Sequence, residues 1–208
     1  MKIIGLFSGS KTAIGPKLSP TGIYKKPLER VEVNNLGIIG DVQADKRVHG
    51  GPEKALHQFS LASYQKVIQR YPLLHKKAWP GSIGENLSAS TMHEDSVCIG
   101  DIYSLGTSLI QVSAPRIPCW KIDAKFSQPG LSQFIAQYQL NGWYYRVIES
   151  GKIQLCDQFK LLERFNPRLT IRHFLAITQL KNLDEGSFKL IDHAQGLDPQ
   201  WRKKLSAI

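Results

Sequence analysis

The chain has 208 residues, 42% hydrophobic and 21% charged. That is enough apolar material to bury a core without a disulfide or metal staple, and it is not the composition of a disordered chain. Lys and Arg number 27 against 17 Asp and Glu, a formal charge of +10, which favours anionic partners: phosphate-bearing small molecules, nucleic acid or an acidic protein.

The basic residues are dispersed. Lys25-Lys26 and Arg202-Lys203-Lys204 are the densest groups and are too short for a polybasic arm. Cys98, Cys119 and Cys156 contain no CxxC pair, which argues against a disulfide framework or a zinc site and for a reducing compartment. The opening MKIIGLFSGSKT has Lys2 ahead of an apolar run that Gly5 interrupts, too short for a signal peptide. No window approaches the length of a membrane span, so a cytoplasmic protein is expected.

In chain order, Ile3 to Phe7 reads as a first strand, followed by the Val31/Val33 alternation and Leu36 to Ile39 before Gly40-Asp41. A turn then leads into a strand over Lys54 to Phe59. Ser60 caps a helix over Leu61 to Tyr71 that Pro72 stops. Short strands resume at Val97 to Ile99, Ile102 to Leu105 and Leu109 to Ser113. Leu131, Phe134, Ile135 and Tyr138 keep helical spacing up to Asn141-Gly142. Trp143 to Ile148, Ile153 to Leu155 and Phe159 to Leu162 complete the strand pattern. After Pro167 the pattern turns helical, with segments near residues 170–180, 184–194 and 199–205. Many short strands bounded by Gly, Asp and Pro predict a barrel or sandwich. The expected organisation is a β-rich body over 1–165 and a small helical unit over 166–208.

Several segments carry chemistry. GLFSGSKT lacks the spacing and the Gly before Lys that a phosphate-binding loop needs, and it reads as a turn. TGIYKKPL places Lys25 and Lys26 between a Gly and a Pro; on its own it reads as a solvated loop. GDVQADKRVHGGPEKALHQ gathers Lys46, Arg47 and His49 before Gly50-Gly51. Glycines let backbone N–H groups approach a ligand while the cations neutralise an anion, and a plain tight turn is the competing reading. His49 and His57 are not spaced as a helical metal pair. SIGENL offers Glu85 and Asn86 for a heterocycle's polar edge, or for a turn. SAPRIPCWKI is the richest: Cys119 lies between Pro118 and Trp120 with Arg116 and Lys121 close by. Neighbouring cations favour a thiolate, which is a soft metal ligand and a good nucleophile. Cys98, between Val97 and Ile99, reads instead as a small buried hydrophobe, and Cys156 as half-exposed and inert.

Taken together, TGIYKKPL, GDVQADKRVHGGPEKAL, GENL, IGD, PRIPCWK and GWYYRVIESGKI resemble, in order and interval, the MOSC family, named for the C-terminal domain of molybdenum-cofactor sulfurase. The resemblance runs over roughly residues 1–163, and the tail resembles the short helical appendage of a bacterial branch. It implies a fold that is mainly β with helices, a β-barrel body with a pocket for a pterin-based molybdenum cofactor. By position Cys119 matches the signature cysteine, expected to ligate molybdenum or carry sulfur. Lys46, Arg47, His49, Gly50 and Gly51 would lie near the cofactor's phosphate and pterin. Glu85 and Asn86 would line the pocket, Arg116 and Lys121 would flank the thiolate, and Lys25 is a further candidate. Where relatives commonly carry Gly-Asp after the last hairpin, this chain has Cys156-Asp157.

The activity this implies is reduction of N-hydroxylated small molecules, such as hydroxylaminopurine base analogues. No iron–sulfur, flavin or nicotinamide motif is apparent in the sequence, so electrons are expected from a separate reductase partner. A sulfur carrier using a Cys119 persulfide is the alternative. A nucleic-acid module built on the basic helix around Trp201 is a further one, but it lacks any nucleic-acid-binding motif.

Overall fold

The computed structural model describes residues 1–44, 49–180 and 182–205. Lys46 and Arg47 therefore lie outside the described residues. The strands are β1 (Ile3–Ser8), β2 (Thr12–Ile14), β3 (Ser19–Thr21), β4 (Lys26–Leu28), β5 (Arg30–Asn34), β6 (Gly37–Ile38), β7 (Leu56–Gln58), β8 (Leu87–Ala89), β9 (Ile102–Leu105), β10 (Ser108–Pro115), β11 (Trp143–Glu149), β12 (Gly151–Gln154) and β13 (Lys160–Glu163). The helices are α1 (Leu61–Arg70), α2 (Trp120–Phe126), α3 (Leu131–Gln137), α4 (Ile171–Thr178), α5 (Glu185–Asp192) and α6 (Pro199–Leu205).

Eight strands form one sheet in the order β13-β9-β10-β11-β7-β8-β1-β4. A sheet this wide curls because each strand twists against the next. Here the start of β1 comes round to the segment that enters β13: Ile3 N–H donates to Asp157 O and Phe159 N–H to Met1 O, both at 2.8 Å. The result is a half-barrel whose two sides meet along this seam, a mainly β body with helices, as expected. β12, β5 and β6 form a smaller sheet, and β2 and β3 a hairpin.

β11 explains why the sheet sits centrally. Trp143, Tyr144 and Tyr145 are all buried, so this strand is covered on both faces. Tyr145 packs against Tyr103 and Phe159 at ring-centroid distances of 6.3 Å each. This core continues into the tail, where Leu169, Ile171, Phe174, Leu175, Ile191 and Trp201 join the same apolar cluster. A second cluster lies to the side: Phe59, Tyr64, Val67, Ile83, Ile122, Phe126, Leu131 and Ile135 bring α1, α2 and α3 together.

The caps behave as their side chains dictate. Ser60 accepts from Ser63 N–H at 3.0 Å, Thr170 from His173 N–H at 3.1 Å and Asp184 from Ser187 N–H at 2.9 Å. Each such cap is worth about 1 kcal/mol. Elsewhere the structure differs from the sequence pattern. Val97 to Ile99 is not a strand within the sheet. Its backbone pairs with the tail, Ile171 N–H donating to Val97 O and Ile99 N–H to Leu169 O, and Cys98 is buried there. Residues 54–59 divide into a 3-10 turn (Pro52–Lys54) and the shorter β7. Cys156, exposed, has φ +75°, the left-handed conformation that glycine adopts without cost. A glycine at this position would take up the same backbone conformation without strain.

Candidate functional site

The loops at the ends of β3, β6, β7 and β10 enclose a cleft of roughly 620 Å³, measured out to its open mouth. It gathers residues from six separate stretches of sequence, among them Lys25, Asp41, His49, Lys54, His57, Asn86, Arg116, Cys119, Lys121 and Tyr144. Of the sequence candidates, Lys25, His49, Asn86, Arg116, Cys119 and Lys121 are brought together here.

One end is a closed network. Lys25 Nζ meets both carboxylate oxygens of Asp41, at 2.5 and 2.6 Å, and the two side chains are only 5% and 7% exposed. Asp41 also accepts from Gly9 N–H at 2.7 Å and from Asn86 Nδ2 at 2.8 Å. Asn86 in turn accepts from His57 N–H at 3.1 Å and donates to Phe7 O. Burial pushes the Lys25 ammonium below its ordinary pKa while Asp41 pulls the other way. The lysine of TGIYKKPL is therefore a buried partner of Asp41 and not a solvated loop residue. Asn86 ties the backbones of β1 and β7 together and reaches Asp41 as well, which is why an amide with both a donor and an acceptor stands there.

The other end is open. Cys119 occupies the N-cap position of α2 with extended backbone, φ −135° and ψ 163°, and its side chain makes no capping hydrogen bond. The thiol is half-buried. α2 was not legible in the sequence, because Pro115 and Pro118 mark the approach as extended. Arg116 is anchored through its backbone: its N–H donates to Gly142 O, and its O accepts from Asn141 Nδ2 at 2.8 Å. The side chain is buried, with Nη1 lacking any partner. Tyr144, on β11, places its hydroxyl 3.1 Å from His49 Nδ1. Burial pushes this phenol up to about 12, with the nearby Arg116 acting against that shift. His57 packs its ring 5.4 Å from Tyr144. Burial and then Arg116 hold its pKa well below the usual histidine value, so it is neutral, and its Nε2 has no partner.

Glu85 stands apart from this group. It accepts from Gly81 N–H at 2.6 Å and from Tyr64 O–H at 2.7 Å, and burial raises its pKa. It does not line the cleft; Tyr64 of α1 and Gly81 both bond its Oε1, tying the turn at Gly81 to α1, while Oε2 is buried without a partner. Gly50 and Gly51 serve the cleft indirectly. A Cβ on Gly50 would sit 2.6 Å from Gln43 Oε1, and Gly51 N–H donates to that same oxygen at 2.9 Å. The two glycines thus let Gln43, a lining residue, fold beneath the loop. Lys121 lines the cleft and donates to Pro20 O at 2.6 Å.

The sequence reading missed Asp41, Lys54, His57 and Tyr144 as site residues. Tyr144 lay within GWYYRVIESGKI but looked like one more aromatic of a strand; an unbroken Trp-Tyr-Tyr run, buried on both faces, was its available signal.

The cleft's chemistry suits an anion. Among the described residues, four cationic side chains, Lys25, Lys54, Arg116 and Lys121, line it against one carboxylate, that of Asp41. A buried, unpartnered guanidinium N–H is costly unless something fills it. Among the described residues no group of three or more His, Cys, Asp or Glu could hold a metal ion. A metal held here by Cys119 would therefore have to bring most of its own ligands, as an anionic organic cofactor does. The residues present fit such a group.

Comparisons with known proteins give the family. The MOSC domain model matches residues 45–160. Protein YiiM of Escherichia coli (strain K12) is 31% identical over 191 residues, covering 91% of this chain and 85% of that protein. A protein named Reductase from Gibberella moniliformis is 33% identical over 175 residues, covering 83% of this chain but 31% of that longer protein. The crystal structure of YiiM from Geobacillus stearothermophilus superposes with a TM-score of 0.82 at 28% identity, covering 99% of this chain and 97% of that one. The fold, the motif order and these matches establish that the chain belongs to the MOSC domain family.

Proposed function

We propose that this MOSC protein is a molybdenum-cofactor-dependent oxidoreductase that reduces N-hydroxylated compounds, hydroxylaminopurine base analogues among them, with Cys119 as the protein's ligand to the metal. The observation that carries the reading is the position of Cys119: a half-buried thiol with no capping bond, in a cationic cleft beside a guanidinium with an unmatched N–H. The similarity to a protein named Reductase supports redox chemistry.

Bound in the cleft, the cofactor would supply a metal centre able to exchange two electrons while the substrate's N–O bond breaks. The chain's own residues bind, orient and move protons. Arg116, Lys54 and Lys121 neutralise the cofactor's negative charge, and Arg116 gains the partner its Nη1 lacks. His57, held neutral, offers Nε2 to a polar edge of the bound heterocycle. Tyr144 keeps its proton at neutral pH, because its pKa of about 12 lies far above. Its hydroxyl, 3.1 Å from His49, can hand that proton to the oxygen leaving the substrate, and His49 can restore it. Electrons come, in this reading, from a separate reductase.

The test is to express the protein in a host that makes the cofactor and to measure bound molybdenum and pterin, with Cys119→Ser alongside. Near-stoichiometric metal in the wild type and loss of most of it in the variant, with an unchanged melting curve, are expected. A folded wild type that carries neither metal nor pterin overturns the reading and directs the next assay to a Cys119 persulfide.

A further inference from the structure

Among the described residues that line the cleft, Lys54 is the lysine held by the C-terminal tail. Its Nζ donates to Gln200 Oε1 at 2.9 Å and lies 3.7 Å from Asp198 Oδ2, across 146 residues of sequence. Asp198 is almost wholly buried, and Oδ2 has no hydrogen bond of its own. The rest of Asp198 is fixed from two sides. Its Oδ1 accepts from Gln200 N–H at 2.8 Å. Its backbone N–H donates to Ser113 O at 2.9 Å, on the strand that leads to Arg116 and Cys119. Ser113 Oγ in turn donates to the carbonyl of Glu53, the residue before Lys54. The tail, the Cys119 strand and the turn that carries Lys54 are thus joined at one point beside the cleft.

We propose that the C-terminal tail is part of the binding site: Asp198 and Gln200 position Lys54 to receive an anionic, phosphate-type group in the cleft. An ammonium has three donors. One goes to Gln200 and one points to Asp198, which leaves the third for the ligand. A free lysine loses considerable side-chain entropy when it is fixed on a ligand; here the tail fixes it beforehand, so binding is not charged with that cost. The inference rests on the reading that the cleft takes an anion, but not on molybdenum or on redox chemistry.

Two effects of Asp198 oppose one another, and their signs differ. If Asp198 were only a nearby negative charge, removing it would strengthen binding of an anion. If it positions Lys54, removing it weakens binding. Inorganic pyrophosphate, titrated calorimetrically into the apo protein at low salt, distinguishes the two. Lys54→Ala should weaken binding about tenfold, the worth of one charged hydrogen bond. Asp198→Asn, which retains the acceptor that caps Gln200, should weaken it by a few fold. Gln200→Ala, an exposed site with no change of charge, should also weaken it. Lys54→Ala combined with Asp198→Asn should be no worse than Lys54→Ala alone, because both act through one ammonium.

Unchanged or tighter binding in both Asp198→Asn and Gln200→Ala, with melting curves like the wild type's, overturns the proposal. So does a wild type that does not bind pyrophosphate. Pterin content of the same variants after expression in a cofactor-making host separates this inference from the proposed function. Full pterin retention in every tail variant sinks the inference and leaves the function standing. Variant-dependent pyrophosphate binding in a wild type without pterin does the reverse.

Discussion

At one end of the cleft Lys25, Asp41 and Asn86 satisfy one another and three backbone groups besides, those of Phe7, Gly9 and His57. At the other, Arg116 and His57 keep buried nitrogen atoms with no partner. Both ends are polar and buried, and both are rich in the residues a sequence reader picks as ligands. The first has used its hydrogen-bonding capacity to build the protein. The second has left some unused, at a cost in stability that a bound anion would recover. Within the cleft, unmatched capacity, more than charge or burial, separates the two ends.

The sharpest way to break this comparison is Asp41→Ala. It strands a buried ammonium and removes acceptors from Gly9 and Asn86, so a loss of about 3–5 kcal/mol is expected in urea unfolding. A loss below about 1 kcal/mol would show that this end is not structural. His57→Gln probes the other end through pH. The histidine stays neutral in the fold, with its pKa depressed well below 6.5, whereas the unfolded chain protonates it near 6.5. Below that pH the unfolded state binds the extra proton, so stability present above 6.5 is lost as pH falls. The slope from this residue is about 1.4 kcal/mol per pH unit. The wild type should therefore lose stability faster than His57→Gln between pH 6.5 and 5; parallel losses would place a charged imidazole in the fold. Arg116→Met should change stability least, by about 1 kcal/mol or less, because a guanidinium with an unmatched N–H gives way to an apolar chain of similar reach. The same substitution should abolish most pyrophosphate binding. A large loss of stability with binding intact would reverse the assignment of the two ends.

How much of this was legible beforehand depended on where the information lies. Ser60, Pro72 and the Leu131–Tyr138 spacing mark helices by local chemistry, and the structure has helices at both. Cys119, Arg116 and Lys121 are close in sequence, so their proximity in space needed no fold. Lys25 meeting Asp41, or Lys54 meeting Asp198, depends on the curling of an eight-stranded sheet and the return of the tail, which no local pattern encodes. Glu85 shows the converse difficulty. Its neighbourhood in SIGENL looked like a ligand site, but Tyr64 of α1 and Gly81 hold its Oε1 outside the cleft lining.

The two apolar clusters give the site a further property. Arg116 and Tyr144 are held by the sheet and its core, while Cys119 begins α2, whose Ile122 and Phe126 belong to the second cluster. The link between them is short, Ile117 and Pro118. The thiol and the guanidinium are thus mounted on different foundations, and their spacing follows how the two foundations seat against each other. Substitutions among the apolar residues of α1 and α3, remote from the chemistry, become a means of adjusting the gap between Cys119 and Arg116 while every residue of the cleft is kept. Divergence among relatives in substrate size can accumulate there, in the packing behind the site, without any change at the site itself.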